Sequence, residues 1–373
     1  FDQNNLNIVG DRDRRYTFSL NTEYNLLKKL VLNTNIRLNM NQSIHNGYSL
    51  SDLNYTRNLD GYTTFEDGDG TALPINYRYL SSYVESAQKN GLLDWSFSPI
   101  KDRNQQDLNS TNRNLLLGTG LSYEIISGLN LSLKYQFQQG INTTRNLYKK
   151  DSYLVRDLVN RFTQADGTYI IPLGAILDQN NGSDQSYNWR GQLNYSRNFL
   201  KRHQINALAG AELSENKTIA EAGSRLYGYN SDNLSYQTSF DYTKYYPVRP
   251  EGSGLIPTNT ATTMELTNRY ISYYGNLNYV FDKMHTVSLS TRWDASNLFG
   301  VKTNQKGVPL WSIGVNEDLK NSLKLTPNWI SRLNLRASYG VTGNVVNKIS
   351  ALPTAYVATF VFPNSLPSAT LSS

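Results

Sequence analysis

The strongest constraint on this chain is a strict alternation of apolar and polar residues, in runs that come in pairs. In the first pair Tyr16, Phe18, Leu20, Thr22 and Tyr24 share one parity, with Ser19, Asn21 and Glu23 on the other. After a short turn, Leu30, Leu32, Thr34, Ile36, Leu38 and Met40 alternate with Val31, Asn33, Asn35, Arg37 and Asn39. Successive side chains of a strand leave opposite faces, so each run is a strand with one dry and one wet face. The design recurs with Leu115 to Ile125 against Leu129 to Phe137, and Trp189 to Tyr195 against Ile205 to Leu213. Ile271 to Tyr279 against Val287 to Trp293 is the fourth pair, and Trp311 to Val315 against Leu333 to Val341 the fifth. About ten strands are expected, with a weaker eleventh over residues 356–362.

The links alternate too. Within pairs they are short, roughly three to seven residues, apart from a longer one after Asp318. Between the first four pairs, residues 41–113, 140–187 and 217–269 form links of roughly 45 to 75 residues, uncommon in compact domains unless they do a job. Outer-membrane barrels are built this way, with short periplasmic turns and long extracellular loops. The long links hold turn-formers such as Gly68, Gly70, Pro247 and Pro250, and one helix-like run over residues 80–89.

Alternation alone does not say whether the dry face meets lipid or a second sheet; a soluble sandwich alternates as well. Composition narrows the choice. Hydrophobic residues are 39%, below the ~45–50% of soluble domains. Yet 12% of residues are aromatic and 27 are tyrosine, which disorder would deplete. The alternating runs outlast the ~5–6 residues typical of soluble strands. Eight residues at ~3.3 Å, tilted ~40°, span roughly 20 Å, close to the ~25 Å apolar band of a membrane barrel. Aromatics sit near the ends of the dry rows, and Asn, Gln, Arg and Lys on the wet face suit a water-filled lumen. The expected fold is all-β, an antiparallel up-and-down transmembrane β-barrel, partial, with long extracellular loops. A lipid-facing aromatic girdle is expected from Tyr16, Tyr24, Tyr123, Tyr135, Tyr195, Tyr273, Tyr279, Trp293 and Tyr339. No run approaches the ~20 apolar residues of a membrane-spanning helix. With no cysteine, disulfides, thiolate metal sites and cysteine nucleophiles are excluded. The net charge of +6 is dispersed, without the basic block that nucleic-acid binding would need.

With the strands placed, several strings resemble one family. Residues 333–344, LNLRASYGVTGN, resemble the hallmark strand of SusC/RagA-family TonB-linked outer-membrane proteins. Residues 270–300 resemble that family's strand, turn and R-x-D-[GA]-S-S-x-F-G rim, here RWDASNLFG. Residues 308–315, VPLWSIGV, stand where the family has a Phe-Pro-Ser run ending in Gly-Trp; Val308, Leu310 and Val315 depart from it. LLDWSFSPI, DLVNRFTQADGTYIIPLGAILD and HQINALAGAE are also family-like, so the resemblance covers nearly the whole chain.

The resemblance implies an energised importer of bulky nutrients, oligosaccharides or peptides, integral to the bacterial outer membrane. It implies a lumen-filling plug, a SusD-like surface lipoprotein as lid, and energy from TonB, ExbB and ExbD through a segment near the mature N-terminus. Neither plug nor that segment is recognisable here, so residues 1–373 are expected to be an internal piece of a receptor barrel. A passive outer-membrane barrel and a soluble glycan-binding β-protein remain the alternatives.

No catalytic constellation emerges: there is no nucleophile elbow, phosphate loop or metal-ligand spacing, and His45, His203 and His285 are scattered, as solvated turn residues are. Lys28-Lys29, Lys201-Arg202 and Lys283 read as solvated turn residues at the short-link end. Asp60, Glu66, Asp67 and Asp69 with Gly68 and Gly70 form an acidic patch; it reads as an ordinary turn, with loop Ca²⁺ binding as the alternative. Trp95, Tyr227, Tyr229, Tyr242, Tyr245 and Tyr246, with Arg249 and Arg225, are candidates in the long links. They pack loop on loop, touch the lid, or offer aromatic faces and donors to a ligand.

Overall fold

The computed structural model describes residues 1–53, 62–259, 261–297, 307–324 and 329–343, and the backbone of 354–357 and 369–372. One large antiparallel sheet dominates it. In chain order its strands are β1 (Asp2–Asn5), β2 (Asp11–Leu27), β3 (Leu30–His45), β4 (Gln106–Ile126), β5 (Leu129–Tyr148), β6 (Ala175–Phe199) and β7 (His203–Ala222). The short β8 (Leu226–Tyr229) folds back onto β6, and β9 (Tyr246–Pro247) pairs with β10 (Ser253–Gly254) inside a loop. The wall resumes with β11 (Thr262–Phe281), β12 (His285–Ser296), β13 (Gly307–Asp318) and β14 (Asn334–Val341). Apart from β8, each strand of the sheet neighbours the next in sequence, and its ends do not meet: it is an open, up-and-down piece of barrel wall. The five expected hairpins are all present. The expected eleventh strand lies largely outside the described residues; its start belongs to β15 (Thr354–Val357), which pairs with β16 (Ala369–Ser372).

The register tests whether the dry rows form one belt. Thr119 lies midway along the apolar run of β4. Across the hydrogen-bonded ladders it faces, in turn, Tyr135, Trp189, Leu213, Ile271, Ala295 and Gly307. On β13, however, the run Trp311, Ile313, Val315 is centred six residues beyond Gly307, after six strand steps. The belt therefore drifts by one residue per strand. One residue is ~3.3 Å along a strand and neighbours are ~4.8 Å apart, so a level belt needs strands tilted by about 35°, within the barrel range.

Nothing among the described residues covers that belt. Phe18, Tyr24, Trp189, Leu213, Tyr273 and Tyr339 are each more than half exposed. A buried second layer, which would have made this a sandwich, is not present among the described residues. The buried apolar residues instead sit in the connections and the strand ends beside them.

The strands run well past the belt. β6 has 25 residues, roughly 80 Å at ~3.3 Å each. Its neighbours also run on toward the long-loop rim, through segments such as residues 109–114 that are polar at every position. This shortens the long connections to residues 46–105, 149–174 and 223–261, against the 41–113, 140–187 and 217–269 expected from sequence. Where a strand leaves the belt, both faces meet water and alternation stops, while the backbone ladder continues unchanged.

The opposite rim is tight. Turns of two or three residues join the first four hairpins there, with Leu200 and Lys201, and Asp282 and Lys283, in successive left-handed conformations, while the fifth takes the longer link after Asp318, which carries the short helix Leu319–Ser322. Such turns match the twist of paired strands. The basic residues of this rim are not all free in solvent: Arg202 forms a two-point ion pair with Asp282 of the adjoining turn. That pairing holds the Asp282 carboxyl below its usual range. The histidines are partnered too: His45 lies 3.5 Å from Asp11, His203 bonds the Tyr279 hydroxyl at 2.7 Å and His285 bonds Glu317 at 2.6 Å.

Candidate functional site: the loop assembly at the long-loop rim

The long connections fold into a body of their own, organised by a helix that sequence reading missed. Helices α1 (Leu50–Leu53), α2 (Ser81–Lys89) and α3 (Pro99–Asp102) lie in the first connection, α4 (Tyr153–Phe162) in the second and the short α5 (Leu319–Ser322) near β13. α2 matches the helix-like run over residues 80–89. In α4 the Ser152 side chain caps the Val155 N–H, and Val155, Leu158, Val159 and Phe162 repeat at the three-and-four spacing of a helix face. That signal stood in the sequence, hidden by its position inside a link read as loop.

α4 joins two aromatic cores. On one side Val155, Leu158, Val159 and Phe162 pack with Ile171, Ile176, Tyr227 and Ile256. On the other, Tyr153 packs with Leu53, Ala87, Trp95 and Phe97. Polar residues of the helix are buried and engaged. Asp157 accepts from the Trp95 indole N–H at 2.9 Å and from Arg78 at 3.0 Å. Asn160 exchanges two bonds of 2.9 Å with the Leu93 backbone, as a neighbouring strand would. Nearby, Asp102 is buried and accepts from the Tyr48 hydroxyl and from Gln106. Burial, reinforced by the Asp102 charge, pushes the Tyr48 hydroxyl far up in pKa, so it stays a neutral donor.

The candidate residues fall into two groups. Trp95 at 1% exposure, Tyr227 at 0% and the buried Tyr229 are core residues and offer no face to a ligand in this arrangement. Tyr242 and Tyr246 pack against the first core, and Lys244 lies over the Tyr246 ring. Only Tyr245, 66% exposed, stands outward. Both arginines are structural: Arg249 donates to the carbonyls of Thr163 and Gln164, and Arg225 grips buried Asp178 through bonds of 2.9 and 2.6 Å. The acidic patch closes a turn. The Asp67 carboxylate accepts from the backbone N–H groups of Asp69 and Thr71, and Asp60 lies outside the described residues. Among the described residues no group of three acidic, histidine or cysteine side chains is placed to hold a metal.

What sequence reading did not mark is the cleft the assembly encloses. About 540 Å³ in volume, it is lined by Asn76, Arg78, Glu85, Gln88 and Asp94, with Trp95 and Phe97 beneath. Amides and both signs of charge around one cavity suit a polar, neutral or zwitterionic guest.

The wet face of the wall, below this cleft, is laced with pairs. Arg190 meets Glu212 at 2.9 Å; Arg292 meets Asp294 at 2.7 Å and the Ser272 hydroxyl at 3.0 Å; the Tyr274 hydroxyl donates to Gln192 at 2.9 Å. By register all these lie opposite the belt, as a face lining water would be. All nine candidate girdle residues lie on the belt's own face. Several are in ring contact, such as Tyr135 with Trp189 (centroids 4.2 Å) and Tyr273 with Trp293 (5.8 Å).

Comparison with known proteins agrees with this geometry. No family model matches the chain. It is 25% identical over 268 residues to the TonB-dependent receptor SusC of Bacteroides thetaiotaomicron, covering 59% of this chain and 25% of that protein. To TonB-dependent receptor P39 of Formosa agariphila it is 26% identical over 151 residues, 40% of this chain and 13% of that one. Among solved structures, the RagAB peptide importer in its closed-closed state superposes with a TM-score of 0.68 at 18% identity. That match covers 97% of this chain and 36% of the importer chain. The open-open state gives 0.67 at 19% identity. The matched part thus spans 13% to 36% of the length of these relatives.

Proposed function

Because this chain is a SusC/RagA-like piece of a TonB-dependent receptor barrel in the outer membrane, we propose that it forms part of the wall and loops of an importer for bulky polar nutrients. The belt carries this reading: it is level across the wall at a strand tilt of about 35°, with a wet, ion-paired face behind it. In the proposal, the long-loop rim faces outward and the loop assembly meets cargo. Oligosaccharides or peptides are the cargo class that the family resemblance implies, and the amide- and charge-lined cleft at Asn76, Arg78 and Gln88 suits either. A SusD-like surface lipoprotein closes over the same rim, which leaves exposed residues such as Tyr245 for lid or cargo. TonB, ExbB and ExbD supply energy through parts of the receptor beyond residues 1–373. The receptor moves its cargo and breaks no bond in it.

The test is uptake by cells carrying the full-length receptor, fed labelled oligosaccharides or peptides, with and without TonB. Uptake that vanishes without TonB supports the importer; uptake that persists identifies a passive barrel. Absence of the receptor from the outer-membrane fraction rejects both and leaves a soluble binding protein. Within the importer, Tyr245→Ala is expected to weaken capture, whereas Tyr227→Ala should act by loosening a loop core.

A further inference from the structure

A crevice runs down the belt face of the wall, on the opposite side from the ion-paired lumen face. Its upper part, about 730 Å³, is lined by Tyr187, Trp189, Leu213 and Ile271, with Glu215 and Arg269 at its lip. Its lower part, about 380 Å³, shares Tyr135, Trp189 and Leu213 with the upper and continues over Gly191 and Ala211 to Leu133 and Leu121. The register explains the trough. Gly191 faces Ala211 across β6 and β7, so the floor has almost no side-chain bulk there, while Leu133 and Tyr273 rise on either side.

The chemistry divides along the crevice. The lower part is apolar. At the top, β7 passes from Leu213 to Glu215 and β11 from Ile271 to Arg269, where the belt gives way to polar wall. Glu215 accepts from Arg269 at 2.6 Å. Asn297 fixes this lip, accepting from the Arg269 backbone N–H at 2.9 Å and donating to the Thr267 carbonyl at 2.8 Å. A carboxylate and a guanidinium beside the Trp189 and Tyr187 rings can accept from and donate to hydroxyls while a ring stacks. A phosphate is served less well, because Glu215 already matches the Arg269 charge and would repel a second anion.

We propose that this crevice binds a glycolipid, with an acyl chain in the lower groove and a sugar headgroup against Tyr187, Trp189 and the Glu215–Arg269 pair. The proposal rests on the barrel reading, which puts the belt in the membrane and the lip at its outer border. A phospholipid or a second copy of the chain are the competing occupants.

The experiment titrates the full-length receptor, purified from outer membranes in an amine-oxide detergent, with dodecyl maltoside and with dodecylphosphocholine. Native mass spectrometry reads bound probe and oligomeric state. The two probes share a chain and differ in headgroup. Dodecyl maltoside is expected to bind in preference. Ala211→Phe, which fills the trough, and Trp189→Ala, which removes the stacking ring, should each weaken that binding about tenfold. Unchanged cargo uptake and heat-modifiable migration in Ala211→Phe would show an intact barrel. Equal maltoside binding by wild type and both variants overturns the proposal. So does preference for dodecylphosphocholine, which assigns a phospholipid, or binding that merely splits a dimer, which assigns a second copy. If those results come from a receptor that fractionates with the outer membrane and imports cargo, the lipid site falls and the importer reading stands.

Discussion

Trp189 and Trp95 mark two regions built on different terms. Trp189 is 56% exposed on the belt of the wall, and Trp95 is sealed in a loop core with its indole N–H bonded to Asp157. The wall holds itself by long ladders of backbone hydrogen bonds, interrupted near the tight rim at Asn25 and Glu124, and its apolar residues face outward. The loop assembly has short elements and few ladders, and holds itself as a soluble domain does, by burying aromatic and aliphatic side chains around α4. A wall of this kind depends on its solvent; the loop body depends on its own packing. Substitutions that distinguish these two dependences test the comparison directly.

The largest effect is expected from Phe162→Ala in the loop core. Phe162 is fully buried between α4 and its partners, and removing such a ring costs about 3–5 kcal/mol. The loops should open, with rapid hydrogen exchange and proteolysis at residues 149–174 and 223–261, while the protection of β4 to β7 stays unchanged. Loss of protection in the wall as well would show that the regions are not independent.

The next effect belongs to the wall. Leu193 projects from mid-belt, and Asn194 is the adjacent residue on the other face. Leu193→Arg should cost about 2–4 kcal/mol if that face meets hydrocarbon. Asn194→Arg should cost at most about 0.5 kcal/mol if its face meets water. Urea unfolding of the full-length receptor from liposomes measures both. Equal costs would mean that the two faces share one solvent.

These two tests fall on either side of what sequence could show. The hairpins of the wall were legible residue by residue, because a strand with one dry face writes a period of two into the chain. Residues 109–114 were not, because a strand polar on both faces keeps its ladder and loses its period. α4 carried a legible cap and helical spacing at Ser152, Val155 and Phe162, masked by the expectation of loop. The roles of the loop aromatics were hidden for a different reason. Tyr227 and Tyr245 look alike in sequence, and only the tertiary packing of residues far apart in the chain buries one and leaves the other outward.

A smaller effect should arise at the tight rim. Gly128 turns β4 into β5 at a φ of +86°, and a Cβ there would run into the Ser196 carbonyl oxygen. Gly128→Ala is expected to cost at least about 1–2 kcal/mol, the penalty for a side chain in the left-handed region, with the contact on the Ser196 carbonyl adding to it. It should speed unfolding of the wall without changing loop proteolysis, which separates the two regions from the other direction. Loops that open in this variant would tie the turn to the loop body.

The smallest effect is nil at neutral pH and grows only in alkali. Burial, helped by the negative charge of Asp157, raises the Tyr79 hydroxyl from its ordinary 10 to about 12. Burial raises Tyr227 to about 12 against the opposing pull of Arg225. A raised folded-state pKa means that the unfolded loop releases its proton first. The stability from keeping these hydroxyls neutral is therefore whole below pH 10 and lost as pH climbs from 10 toward 12. Both tyrosines lie in the loop assembly, so the aromatic near-ultraviolet dichroism of its cores should fade across that window while the far-ultraviolet β signal of the wall persists. Tyr48 and Tyr153, raised by burial as well, add to the same loss; Tyr227→Phe removes one of these titrating hydroxyls and should move the loop transition upward in pH. If both signals vanish together, the loops and the wall open as a single unit, and the contrast between packing-held and ladder-held regions fails.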